Sequence, residues 1–288
     1  MIEQALYDHL REQDALLPYL ARYDGAPAIF NQSAPADTDP LWRNGAQYGR
    51  LVFAVDLQGD PERAMGGTLT GDILCHEDEQ FPEDMEPIVR ELVHGWFFSS
   101  GTFTAAAQWK NSSYFTEETS HVTGCTVTFD LLAFPILTTS LPPDVIRRVN
   151  EWTEERFKAL YVINAQALPD SAWKPKDGDS AVYWRLVNDD SAGWIPDTFQ
   201  TIWRTATIRC HIFSEDHAAA GMVAMEIIRA LYGEKRIGHD GEAPILVNQR
   251  NTIDMGADPL RTGQLTVEAT YGVIVCAGNS GTIQHIFY

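Results

Sequence analysis

Acidic and histidine side chains occur in two short runs that could hold a metal ion or act as a general acid and base. The first run is His76-Glu77-Asp78-Glu79, and the second is Ser214-Glu215-Asp216-His217. A zinc-binding helix motif needs two histidines four residues apart, but the position four after His76 is Gln80. The second run lacks a ligand spacing as well. We therefore expect solvated loops at both runs, with no metal and no cofactor.

Other catalytic motifs are missing from the sequence. It contains no GxSxG elbow, no GxxxxGK[ST] phosphate loop and no GxGxxG dinucleotide fingerprint. The segment Gly278-Asn279-Ser280-Gly281 follows the last predicted strand with no room for a helix behind it, which predicts a tail turn. The sequence thus favours a protein that is not an enzyme.

The four cysteines are widely spaced and form no CxxC pair. This is typical of reduced core residues in a protein made in a cytoplasm. The cysteines are Cys75, Cys125, Cys210 and Cys276.

Eight tryptophans raise the question of a sugar-binding platform, because indole rings stack on the apolar faces of sugars. Trp184 and Trp203 fall within strand patterns and Trp152 lies on the apolar stripe of a helix, which predicts core packing. The tryptophans in loop-like sequence are candidates for a protein interface: Trp42, Trp109, Trp173 and Trp194.

The overall charge limits the classes of partner. The 288 residues carry a formal charge of -19 and have a pI near 4.7. A conventional nucleic-acid binder needs a basic surface, and an anionic membrane would repel this chain. No stretch approaches the roughly 18 apolar residues of a membrane span, and Met1 to Leu20 lacks an apolar run of the export type.

A repeat explains the length of the chain. A shift of 139 positions places Thr68 to Gly124 over Thr207 to Gly263 without a gap. With a small change of offset, Arg50-Leu51-Val52 matches Arg185-Leu186-Val187. The identities are sparse, so the order of predicted elements must support the repeat.

Each half has the same order of predicted elements: a helix, a hairpin, a second helix and closing strands. The helices are predicted from apolar spacing over Ile2 to Leu20, Pro82 to Gly95, Val145 to Leu160 and Ala218 to Gly233. Alternating apolar residues predict strands around Leu51–Val55, Leu69–Ile73, Cys125–Leu131, Val182–Leu186, Ile208–Ile212 and Leu265–Val275. The turns of the two hairpins are predicted at Gln58 to Pro61 and at Asn188 to Gly193.

We therefore predict an α+β fold of two similar domains, each a mostly antiparallel sheet packed against two helices. The first domain covers residues 1–135, a proline-containing linker covers 136–143, and the second domain covers 144–288.

Three segments carry a resemblance to a known family. They are the helix starting Ile2-Glu3-Gln4-Ala5-Leu6-Tyr7-Asp8-His9-Leu10, the helix containing Ile88-Val89-Arg90-Glu91-Leu92, and Thr205 to Leu231. With the order of elements, they resemble the tail terminator or tail completion proteins of tailed bacteriophages, and the last is similar to the neck-terminator group. Simple members have one domain and about half this length, so the duplication is a departure from the family.

The resemblance implies a structural virion protein located at the tail or neck, and in the host cytoplasm during assembly. It implies a ring that caps the major tail tube protein, docks to the head–tail connector and lets DNA pass without specific binding. Six chains are favoured, with one domain layer facing the tube and one facing the head. Three chains, supplying six domains, are the alternative.

Two groups of residues are candidates for the surfaces of such a ring. The hairpin turns are predicted to contact the tube through Gln58, Asp60, Glu62, Arg63, Asp189, Asp190 and Trp194. An acidic channel wall would repel phosphates and leave DNA mobile. The candidates for that wall are Glu77, Asp78, Glu79, Glu215 and Asp216.

Two alternatives remain open. One is a baseplate or head-completion adaptor built from the same kind of domain. The other, from a different class, is a carbohydrate-binding or hydrolytic tail protein that uses the loop tryptophans and the acids Glu77 to Glu79.

Overall fold

The computed structural model describes residues 2–43, 46–58, 66–101, 103–117, 121–163, 168–198, 200–238, 245–248 and 250–274. The chain divides into two compact units. The first is Met1–Pro135 with Gln166–Lys174, and the second is Ile136–Ala165 with Pro175–Tyr288. The segment Gln166–Lys174 therefore joins the first unit, although the sequence assigned it to the second half.

The described residues form four α-helices and sixteen strands. In the first half these are α1 (Ile2–Arg11), β1 (Arg22–Tyr23), β2 (Ala26–Pro27), β3 (Ile29–Asn31), β4 (Arg50–Gln58), β5 (Gly66–His76), α2 (Pro82–Val93), β6 (Phe97–Ser100), β7 (Phe103–Glu117) and β8 (Val122–Ala133). They continue with α3 (Val145–Arg156), β9 (Leu160–Val162), β10 (Ala172–Trp173), β11 (Ser180–Ser191), β12 (Thr201–Ser214), α4 (His217–Glu234), β13 (Arg236–Ile237), β14 (Ile245–Val247), β15 (Thr252–Ile253) and β16 (Leu265–Ile274).

Helix boundaries follow local capping signals. Asp144 caps α3 as the Pro-Pro-Asp sequence predicts, because its Oδ1 accepts hydrogen bonds from the backbone N–H groups of Ile146 (3.1 Å) and Arg147 (3.2 Å). Two helices are shorter than predicted. The first ends at Arg11, with a separate 3₁₀ turn at Leu17–Tyr19, and α3 ends at Arg156.

The first unit contains a seven-stranded sheet in the order β10-β6-β7-β8-β5-β4-β3. All neighbours are antiparallel except β3 and β4. Its buried core draws on both helices and one face of the sheet, with Leu6 from α1, Met85 from α2 and Ile73 from β5 as members. Strand β10 enters this sheet from the segment beyond α3 by pairing with β6.

The second unit contains a sheet in the order β13-β14-β16-β12-β11-β9, with β15 also paired to β16. Again only the outermost pair, β9 and β11, is parallel. Its core likewise combines two helices with one sheet face, and includes Val149 of α3, Ile227 of α4 and Ile208 of β12. The predicted α+β class with mostly antiparallel sheets is thus confirmed.

The two sheets have matching strand order and matching register. From the parallel pair inward, β3-β4-β5-β8-β7-β6 in one unit corresponds to β9-β11-β12-β16-β14-β13 in the other. Rows of paired residues correspond as well. Ile29, Leu51 and Ile73 lie in one row, and Val162, Val182 and Ile212 lie in its counterpart. The next rows are Phe53, Gly71 and Val127, and Trp184, Cys210 and Leu265.

One sequence match is wrong in register. Leu51 pairs with Ile73, and the matching residue Ile212 pairs with Val182 rather than with Leu186. The resemblance of Arg50-Leu51-Val52 to Arg185-Leu186-Val187 is therefore accidental. Both strands alternate apolar and polar residues, so several short offsets give equally good local matches.

Candidate interaction surfaces

The first predicted contact turn is described only at its beginning. Gln58 is exposed at the end of β4, pairs with Gly66 and donates a hydrogen bond from Nε2 to Asp56 Oδ2 at 2.7 Å. Asp60, Glu62 and Arg63 lie outside the described residues, as do Cys276 and the Gly278–Gly281 turn.

The second predicted contact turn begins later than expected. Strand β11 continues to Ser191 after a bulge between Leu186 and Asn188, so Asn188 to Ser191 are paired with β12. Asp190 pairs with Thr205 in the second sheet, and Gln58 pairs with Gly66 at the corresponding position of the first sheet. Two candidate contact residues therefore occupy equivalent hairpin positions.

Both carboxylate oxygens of Asp189 accept hydrogen bonds from residues of the second unit. Its Oδ1 accepts hydrogen bonds from Tyr271 Oη (2.7 Å) and Arg204 Nε (2.8 Å), and its Oδ2 accepts from the Ser140 backbone N–H (3.2 Å). Burial acts to raise the pKa of Asp189, but these hydrogen bonds outweigh it and hold the pKa below its ordinary value. Asp189 is therefore an internal anion, whereas Asp190 is exposed.

The candidate channel acids have different local roles. Glu77 pairs with His121 and raises the pKa of that imidazole, mainly through their hydrogen bond. Asp216 caps α4, because its Oδ1 accepts from the Ala219 N–H at 2.8 Å. The other members are exposed: Asp78, Glu79 and Glu215.

The four tryptophans from loop-like sequence separate into two pairs. Trp42 and Trp173 are buried, so the interface prediction is wrong for both. Trp109 lies in β7 rather than in a loop and is half-exposed, with the Arg90 guanidinium 5.0 Å from its ring centroid. Trp194 has 66% of its surface exposed.

The tryptophans assigned to the core behave largely as predicted. Trp152 and Trp184 are buried, and the Trp184 indole donates to Thr153 Oγ1 at 3.0 Å. Trp203 is half-buried, and its ring lies 3.5 Å from where a side chain at Gly272 would begin.

Metal or thiol chemistry has little support in the described part of the chain. No group of three or more His, Cys, Asp or Glu side chains there could hold a metal ion. Cys75, Cys125 and Cys210 are free and buried. Burial raises the pKa of the Cys75 and Cys125 thiols to about 11, which leaves little reactive thiolate at neutral pH.

Several strands leave one edge unpaired within the described residues. Strand β3 pairs with β4 only as far as Phe53, and β9 pairs with β11 only as far as Val182. The remaining parts of β4 and β11 carry the exposed apolar side chains Leu57 and Val187. Such edges can add a strand from another chain.

A cavity of about 690 Å³ lies on the outer face of the second sheet. The sequence predicts an interface role for Trp194 and a turn that contains Ser191 and Ala192, and the alternating polar residues of β16 indicate an outward face. The cavity is lined by Ser191, Ala192, Trp194, Thr205, Val247, Asn248, Arg250 and Glu268.

No protein-family model, curated protein or solved structure matches this chain. Among the described residues, no helix has the length and apolarity needed to cross a membrane. The function must therefore be argued from the geometry of the chain itself.

Proposed function

We propose that the chain is a non-enzymatic assembly protein of a tailed bacteriophage, in which two tail-terminator-like domains arose by tandem duplication. A ring of these chains caps the tail tube, stops its polymerisation and joins it to the head connector. The protein acts by presenting complementary surfaces.

The observation that carries this proposal is the repeated strand order. Six strands of each sheet follow one order, with the single parallel pair at the same end and corresponding rows of paired core residues. Two unrelated sheets would have to agree by chance in the order of their strands, in strand direction and in pairing register. Duplication of one domain is the simpler cause, and it accounts for a length about twice that of the simple family members.

The hairpin edges supply a means of assembly. Leu57 on β4 and Val187 on β11 are 41% and 45% exposed, and each lies on a strand end that has no second strand neighbour among the described residues. A neighbouring sheet can pair with such an edge through backbone hydrogen bonds, while the apolar side chains lose contact with water. These edges therefore suit contacts with the tube or with another copy.

Differences between the units favour six chains over three. The first turn of α2 carries Glu83 and Asp84, whereas α4 exposes Met222 and Met225. Because α2 and α4 are equivalent helices with such different surfaces, the two domains suit different partners. In a ring of six chains, one domain layer would contact the tube and the other would contact the head connector. The formal charge of -19 is compatible with a channel that does not hold DNA.

Mass photometry of the purified chain, alone and with purified tail tube protein, tests the ring. We expect closed assemblies of six chains, with three as the alternative. Monomers only, even with tube protein present, would remove the ring proposal.

Edge variants test how the ring forms. Leu57→Lys and Val187→Lys should reduce assembly, because a lysine on a free edge opposes strand addition. Leu41→Lys changes an apolar residue of similar exposure (48%) that lies outside the strands, so it is the matched control for the edges. Equal assembly by all three variants would exclude these edges as contacts.

A further inference from the structure

The cavity on the outer face of the second sheet has features of a small-molecule site, independently of ring assembly. Its volume of about 690 Å³ lies within the roughly 300–1,000 Å³ of typical ligand pockets. Four strands contribute to it, because Ser191 ends β11, Thr205 lies on β12, Glu268 on β16 and Val247 on β14.

Glu268 presents an unused acceptor to this cavity. Its counterpart in the first sheet is Asp130, since Asp130 lies opposite Thr68 and Glu268 lies opposite Thr207. Asp130 forms an ion pair with Lys110 at 3.2 Å. The Glu268 carboxylate has no ion pair or hydrogen bond with any described side chain, although its backbone N–H donates to Asn251 Oδ1. The carboxylate is therefore available to a ligand.

Two donors accompany this carboxylate. The Asn248 side chain is oriented by Thr270 Oγ1, which donates to Asn248 Oδ1 at 3.0 Å and leaves the Nδ2 group for another partner. Arg250 lines the same cavity, and its guanidinium has no ion pair within the described part of the chain. One carboxylate and one guanidinium balance in charge, so the cavity matches a neutral ligand whose groups both donate and accept.

Trp194 adds a flat apolar surface beside these polar groups. Its turn is fixed by backbone hydrogen bonds, from Ile195 N–H to Ala192 O (2.9 Å) and from Ala192 N–H to Trp203 O (2.8 Å). The backbone that carries the exposed indole is thus fixed before any ligand binds, so binding does not have to order this turn.

We infer that this cavity binds a neutral carbohydrate. The Trp194 ring stacks on the apolar face of one sugar ring, Glu268 accepts hydrogen bonds from its hydroxyls, and Asn248 and Arg250 donate to them. A sugar fits better than a peptide because adjacent hydroxyls match closely spaced donors and acceptors, whereas a peptide backbone would pair with the free strand edges instead.

Titration of the full chain with glucose, galactose, mannose and N-acetylglucosamine tests this inference, by calorimetry and by indole fluorescence. We expect saturable binding of at least one sugar. Trp194→Ala and Glu268→Gln should each weaken it about tenfold, since each removes a contact of the size expected for stacking or for a charged hydrogen bond.

Matched controls lie in the first unit. Trp109→Ala removes the other tryptophan that is more than a third exposed and Asp130→Asn changes the counterpart of Glu268, so both should leave sugar affinity unchanged. Thermal melting checks that every variant is folded. Absence of saturation with every sugar, or affinity unaffected by Trp194→Ala and Glu268→Gln, would overturn the inference. Binding of tail tube protein at Trp194 and Glu268, without binding of any sugar, would also overturn the inference. Ring formation by the unmodified chain is scored separately, so the two proposals fail independently.

Discussion

The Tyr271 hydroxyl donates a 2.7 Å hydrogen bond to Asp189 Oδ1, joining β16, the last described strand, to β11, which lies two strands away in the sheet. Burial, followed by the neighbouring carboxylate, raises the pKa of Tyr271, so the phenol remains a donor at all physiological pH values. Arg204 contacts the same carboxylate. The hairpin predicted from sequence as a contact loop is thus held by a network within the second unit.

Removal of this hydroxyl should destabilise the protein. We expect Tyr271→Phe to lower the free energy of unfolding by about 1–3 kcal/mol, because it removes a hydrogen bond to a carboxylate in a dry site. Urea unfolding followed by circular dichroism measures the change. Tyr7→Phe is the control, since the Tyr7 hydroxyl forms no hydrogen bond with the described residues. Equal stability of both variants would mean that the network contributes little.

Stability should also depend on pH through Asp189. Its pKa is lower in the folded chain than the ordinary 3.8, so its contribution is present above pH 3.8 and is lost as the pH falls through the folded value. The difference in unfolding free energy between the unmodified chain and Asp189→Asn should therefore be constant near neutral pH and shrink in acid. Unfolding titrations across this range measure it. A difference that stayed constant into acid would contradict this role of Asp189.

Gly124 should tolerate no side chain. A Cβ there would lie 2.3 Å from Phe115 Cζ and 2.8 Å from the Ile73 carbonyl oxygen. Gly124→Ala should cost about 1–3 kcal/mol of unfolding free energy through overpacking. Gly71→Ala is the matched control, as its Cβ would meet only Leu51 Cδ1 at 3.5 Å. Thermal melts that rank the two variants in the opposite order would contradict the packing around Phe115.

The two acids before α4 should differ in their effect on stability. Asp216→Ala removes the helix cap and should cost about 0.5–2 kcal/mol, whereas Glu215→Ala should be nearly neutral. Chemical denaturation separates the two. A cost for Glu215→Ala equal to that of Asp216→Ala would contradict the capping role.

Chelation should leave the protein unchanged. The sequence has no ligand set of metal spacing, and we expect the same melting temperature with and without EDTA. Differential scanning calorimetry tests this. A fall of more than a few degrees would reveal a structural metal and reopen an enzymatic role around His76.

The sequence by itself determined the local features of this protein. Alternation of apolar residues located the central strands β4, β5, β8, β11, β12 and β16, and the Asp144 cap located the start of α3. It also assigned Trp152 and Trp184 to the core. These predictions succeed because burial of one sheet face or one helix stripe imposes a period that neighbouring residues reveal.

Only the tertiary structure decided which residues meet across long separations. Nothing near Trp173 predicts that its short strand pairs with β6, which buries the indole expected at an interface. Asp189 was expected at the surface, but Tyr271 and Arg204 approach it from other strands. The cavity beside Trp194 arises in the same way, from loops and strands up to 77 residues apart. Strand pairing sets these neighbours, and a period-two pattern specifies which face a residue occupies but not which strand lies beside it.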